Sequence, residues 1–123
     1  VKITIPIPEK ISLNKIYSGI HFRARMQHKE QYQYAVMSAR PKAYTGTFPV
    51  HIHYHFKTTG NQLDIDNYGY MAKLCADALV QLEVLPDDDQ KYIAAVTTTA
   101  QKVKKGGDNE VVVTIKPADI LGE

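Results

Sequence analysis

With a single cysteine in 123 residues, the chain has no intrachain disulfide to form. Cys75 falls inside an apolar helical pattern and reads as a small buried core residue of a reducing compartment, not as a nucleophile. No apolar run approaches the ~18 residues of a membrane span. The opening "VKITIPIP" alternates like a strand and lacks the unbroken apolar stretch of a signal peptide. A cytoplasmic location is therefore the default expectation. There is neither an internal repeat nor a low-complexity tract. What is present is ordinary for a globular domain: 44% hydrophobic and 23% charged residues, with a length suited to one domain over 1–123.

Acid is scarce outside one region. Residues 64–89 hold seven of the 13 acids (Asp64, Asp66, Asp77, Glu83, Asp87, Asp88, Asp89) and one base, Lys73. The rest of the chain therefore carries 14 bases against six acids, a balance of +8 beneath a net charge of only +2. A basic body around an acidic pocket suits a polyanion approaching a cation-filled site. Charge that merely decorates solvated faces would look the same in composition alone.

Periodicity supplies the elements. Val1, Ile3, Ile5 and Ile7 alternate as a strand, and "PEKISLNKIYSGIHFRAR" has no clean period and reads as a long loop. Met26–Arg40 reads as a helix stopped by Pro41. "FPVHIHYHFK" is a strand with Val50, Ile52, Tyr54 and Phe56 inward. Met71, Leu74, Cys75, Ala78, Leu79 and Leu82 then form a helical stripe. "KYIAAVTTTAQKVK" and "EVVVTIKP" read as two strands joined through "KGGDN" as a hairpin. The order implies an α+β domain, a small mixed sheet of about four strands packed with two helices.

His51, His53 and His55 share one strand face, but successive same-face side chains diverge and zinc sites draw ligands from several elements. They are read as the outward face of a half-buried strand. "DIDNYG" begins like a calcium loop and then fails, with Tyr68 at the fifth place and Cys75 where a bidentate Glu belongs. Helix capping by Asp66 or Asn67 accounts for one acid, not for Asp64 or for "PDDDQ" beyond the helix. In extended chain Asp64 and Asp66 point the same way and can share a hard cation. A loop returning from the helix can bring an acid from 87–89 to it. Convergent carboxylates need counter-charge, and Mg²⁺ supplies it in sites that hydrolyse phosphodiesters.

"SLNKIY", "LDIDN", Lys73 followed by "DAL" at 77–79, and "DDDQ" at 87–90 occur in an order and spacing that resemble the RusA family. These are phage and prophage endonucleases that resolve Holliday junctions in DNA recombination and repair. The resemblance implies a homodimer with Mg²⁺ or Mn²⁺ at each of two sites, making paired symmetric nicks in four-way junction DNA. It makes Asp64 and Asp66 the paired metal-binding acids, Asp88 the catalytic acid that joins them on the metal, and Lys73 the catalytic cation. Two departures stand out. The family lysine usually follows its second aspartate by four residues, the place of Tyr70 here, whereas Lys73 follows Asp66 by seven. Arginines just before the acidic pair are replaced by "KTTGNQ" with only Lys57. Junction grip is therefore expected from Lys15, Arg23 and Arg25 in the long loop, from Lys57, and from Lys102, Lys104 and Lys105. Tyr32, Tyr34 and Met37 are candidates for a dimer surface. Rival readings are a branched-DNA-binding protein whose catalysis has lapsed and another Mg²⁺-dependent phosphohydrolase.

Overall fold

Buried and half-exposed positions alternate without a break from Val50 to Thr58, the signature of a strand with one face on a core and one toward water. This strand is central. The computed structural model describes residues 1–8, 10–11, 22–60 and 62–118. In chain order these give β1 (Lys2–Pro6), α1 (Phe22–Ser38), β2 (Val50–Thr58), a 3₁₀ turn (Ile65–Tyr68), α2 (Gly69–Gln81), β3 (Ile93–Lys102) and β4 (Glu110–Pro117). The strands form one mixed sheet in the order β1-β4-β2-β3. β4 is antiparallel to both β1 and β2, and β3 is parallel to β2. The architecture is thus a small α+β fold, a four-stranded mixed sheet with two helices.

The core lies between the sheet and the helices. Ile3 and Ile5 of β1, Val50, Ile52, Tyr54 and Phe56 of β2, and Val111, Val113 and Ile115 of β4 face it. Met71, Leu74, Cys75, Ala78 and Leu79 supply the stripe of α2, and Leu82 packs at its margin. Each fully buried side chain of this size contributes about 1.5–3 kcal/mol of transfer free energy. Cys75 is sealed in this layer, and burial pushes its thiol up to about 12. Tyr54 is sealed in too, and its hydroxyl has no hydrogen-bond partner among the described residues. Burial raises its pKa, with smaller contributions from Cys75 and Asp77. Tyr54→Phe is therefore expected to raise stability by about 1 kcal/mol in urea unfolding. A loss of that size would show the hydroxyl to be satisfied.

Four expectations need correction. "KGGDN" does not close a hairpin, because β2 lies between β3 and β4. Residues 103–109 instead cross the end of β2, tied there by Val103 N–H to Thr58 O and Thr59 N–H to Asn109 Oδ1. The reason is burial. "VVV" of β4 needs apolar cover and takes a central place, whereas the threonine-rich β3 tolerates an edge. The first helix begins at Phe22, not Met26, so Arg23 and Arg25 lie in its first turn and not in a loop. It ends at Ser38, before left-handed Arg40 (φ 50°). Tyr32 is fully buried, whereas Tyr34 and Met37 are exposed. At the N-terminus Val1 is exposed, outside the apolar face it was assigned to. No helix among the described residues is long and apolar enough to cross a membrane.

Candidate functional site

Asp64 sits where extended chain turns into the 3₁₀ turn, at φ −60° and ψ 148°. Its carbonyl accepts the Asn67 N–H at 2.9 Å, but its carboxylate makes no capping bond. Asp66 lies inside the turn, so the pair does not continue an extended strand as expected. Nor does an acid cap the helix: the N-cap of α2 is Tyr68, without a side-chain bond. Both aspartates are exposed. What holds their turn is Tyr68, fully buried against Phe56 with ring centroids 4.9 Å apart. Its hydroxyl lies 3.3 Å from Thr58 Oγ1 and donates to Gln62 Oε1 at 3.3 Å. The acidic turn is thereby pinned to the end of β2, and its carboxylates are left over from the structural work.

The second acidic turn is held as firmly. After α2 the chain passes through left-handed Glu83 (φ 61°), and Val84 N–H bonds back to Leu79 O at 2.8 Å. Val84 and Leu85 are buried, which lays residues 86–90 along the flank of α2. Within that turn Asp87 Oδ1 accepts the Asp88 N–H at 2.8 Å and Asp89 Oδ1 accepts the Lys91 N–H at 2.9 Å. Two of the three aspartates therefore build the turn, and the Asp88 carboxylate is the one it does not use. Asp88 lines a cleft of about 300 Å³ between α2 and β3, together with Tyr54, Gly69, Ala72, Lys73 and Val96. It also borders a second cleft with Asp77, Asp87 and Lys29.

Lys73 thus shares a cleft with Asp88, and Tyr70 does not. Tyr70 turns toward α1, where its hydroxyl is 3.3 Å from His28 Nδ1 and the rings meet edge to face. Burial raises the Tyr70 pKa, and the Arg25 guanidinium opposes that shift. Gly69 does not break the chain; it is right-handed (φ −58°, ψ −36°) and passes the 3₁₀ turn directly into α2. Lys73 Nζ lies 3.8 Å from Asp77 Oδ1, one turn further along and away from Asp64 and Asp66. With Lys73 69% exposed, that ion pair contributes well under about 1 kcal/mol, and the ammonium is easily drawn to a stronger anion.

The basic candidates gather near the Asp64–Asp66 end. Lys57 and Lys102 belong to the last rungs of the β2–β3 ladder, and Lys104 and Lys105 follow in the exposed crossing. Arg25 reaches Tyr70 near the start of α2. Lys15, with "SLNKIY", lies outside the described residues.

The sheet face away from the helices carries the histidines. His51 Nε2 is 2.6 Å from Thr97 Oγ1, His53 Nε2 is 2.6 Å from Thr99 Oγ1, and His55 Nδ1 is 2.6 Å from that same oxygen. They act as cross-strand rungs between β2 and β3. Partial burial lowers the His53 pKa, with His55, His51 and Lys116 adding to it. The folded chain then binds fewer protons there than the unfolded one, so stability falls as pH drops through the ordinary histidine range toward the lowered pKa. Above that range the effect vanishes. Thermal melting from pH 7 to 5 should show this loss, and His53→Gln should flatten it. An unchanged slope would rule His53 out as its source.

The described residues assemble no group of three His, Cys, Asp or Glu side chains able to hold a metal ion. Asp64 and Asp66 do not line the cleft that holds Asp88 and Lys73. Asp64, Asp66 and Asp88 are hard oxygen donors, the chemistry that Mg²⁺ takes. Sequence reasoning also missed Tyr68 as the anchor of the acidic turn and Lys29 beside Asp87 and Asp88. An aromatic four residues beyond Asp64 was the available sign of the first, and Lys29 left none. No family model matches the chain, and no curated protein does.

Proposed function

We propose that the chain is a metal-dependent, structure-selective endonuclease that resolves four-way DNA junctions, working as a homodimer in the cytoplasm. One observation carries the reading. Asp64, Asp66 and Asp88 lie on two turns built by other groups, and none of their carboxylates has a structural partner among the described residues. Exposed acids with no structural task, inside an otherwise basic chain, are available to a hard cation and through it to a phosphate. The ordered resemblance to the RusA family adds the substrate class and the RusA-like fold. Mg²⁺, or Mn²⁺ in its place, would supply Lewis-acid polarisation of the phosphate when bound. Among the described residues these acids form no ready-made metal group; in this reading they gather on the cation.

The role of Lys73 in this reading is to hold the attacked phosphate or its leaving oxygen. In single-turnover cleavage Lys73→Ala should slow the reaction by about 100-fold, the scale of one lost charge-stabilising donor. Tyr70→Phe should leave the rate unchanged, since Tyr70 faces α1. Equal rates for Lys73→Ala and the parent would remove the lysine from the chemistry. The open arrangement of the acids also favours a second reading, a branched-DNA-binding protein that no longer cuts. Incubation with Mg²⁺ and a panel of four-way junction, flap, linear duplex and nucleoside triphosphate separates these. Cleavage confined to the junction supports the proposal, a shifted junction without cleavage supports the second reading, and turnover of the other substrates points to a different phosphohydrolase.

A further inference from the structure

We propose that the free edge of β3 is the seam at which two copies of this chain join, strand against strand and antiparallel. Among the described residues β3 pairs only with β2, so the ten residues Ile93–Lys102 present one edge of unpaired backbone groups. The opposite edge of the sheet, β1, is blunted: it has five residues and ends in Pro6. β3 has neither proline nor charge before Lys102, and Val96 on it is 56% exposed. A long, uncharged and partly apolar edge of this kind is a template for another strand.

Charge selects the second copy as the occupant, and the antiparallel direction. Asp87, Asp88 and Asp89 stand at the entrance of β3, where Asp89 O accepts the N–H groups of Tyr92 and Ile93. Lys102, Lys104 and Lys105 stand at its exit. Antiparallel self-pairing sets the acidic entrance of one copy against the basic exit of the other, twice over. Parallel pairing would oppose like charges. Residues directly opposite in an antiparallel pair share a sheet face, so the two-fold centre falls on a residue, Thr97 or Thr98, which meets its own copy. Val96 is covered in either register. Lys102, Lys104 and Lys105 then serve the seam, and phosphate contact falls to Arg23, Arg25 and Lys57.

The seam deepens the functional reading by locating its dimer, but it is measured without DNA, so a failed seam and a failed nuclease are told apart. Light scattering of the full chain at about 10 μM should give a dimer. Val96→Lys, at a site open in the single chain, should weaken self-association at least tenfold with circular dichroism unchanged. The double variant Lys104→Glu/Lys105→Glu should weaken it too, and hydrogen exchange should show β3 amides losing protection on dilution. A parent chain that is monomeric at that concentration would overturn the seam. So would a dimer indifferent to both variants, which would place the contact elsewhere, such as the outer face of α1 with Tyr34 and Met37.

Discussion

Asp88→Asn is expected to bind a four-way junction at least as tightly as the parent chain and to cut it at least about 100-fold more slowly. Removing a group that only supports a metal ligand typically costs about 10–100-fold, and a group facing the cation is expected at or beyond the upper end of that range. Binding should hold because the variant removes a negative charge from a surface that phosphates approach. Asp64→Asn and Asp66→Asn should behave alike. The informative contrast is within the second turn. The Asp87 and Asp89 carboxylates accept backbone N–H groups there, and an amide oxygen can still accept those bonds. Asp87→Asn and Asp89→Asn should therefore cut within a few-fold of the parent. Full activity in Asp88→Asn with loss in Asp89→Asn would move the functional acid by one residue.

Tyr68→Ala should cost about 3–5 kcal/mol of stability, the range for deleting a large buried aromatic. The ring is fully enclosed against Phe56, so little can collapse into the space it leaves. A domain of this size has about 5–15 kcal/mol in hand, so the variant should melt far lower yet still fold in the cold. Tyr68→Phe removes only two bonds of 3.3 Å, to Thr58 and Gln62, and should cost about 0.5–1.5 kcal/mol. The two variants also separate packing from positioning. Tyr68 ends the turn that carries Asp66, so Tyr68→Ala, assayed well below its melting point, should still cut more slowly than Tyr68→Phe. Equal cleavage by the two would mean that the turn holds its acids without the ring.

What was legible in the sequence was local period. The inward face of β2 and the stripe of α2 follow from spacing alone, because a two-residue or 3.6-residue repeat leaves few alternatives once one face must be buried. Neighbour relations were not legible. "KGGDN" carries turn chemistry that serves a wide crossing as well as a tight hairpin, and the choice was made by which strand needed burial. Phe22–Arg25 looked aperiodic because Phe22 and Met26 are exposed and break the apolar pattern of α1. At the site, the identities of Asp64, Asp66 and Asp88 could be read as candidates. Their surroundings could not, since the path to Asp88 depends on left-handed Glu83 and on Val84 and Leu85 folding back under α2. That Asp87 and Asp89 are occupied by their own turn is visible only in three dimensions.

The proposed activity is tested most directly by mapping cleavage on a four-way junction labelled on each strand in turn, with Mg²⁺ present. Nicks at matching positions in two opposed strands, absent with chelator and absent in Asp88→Asn, are expected. A shifted junction whose four strands all remain intact under those conditions would contradict the assignment.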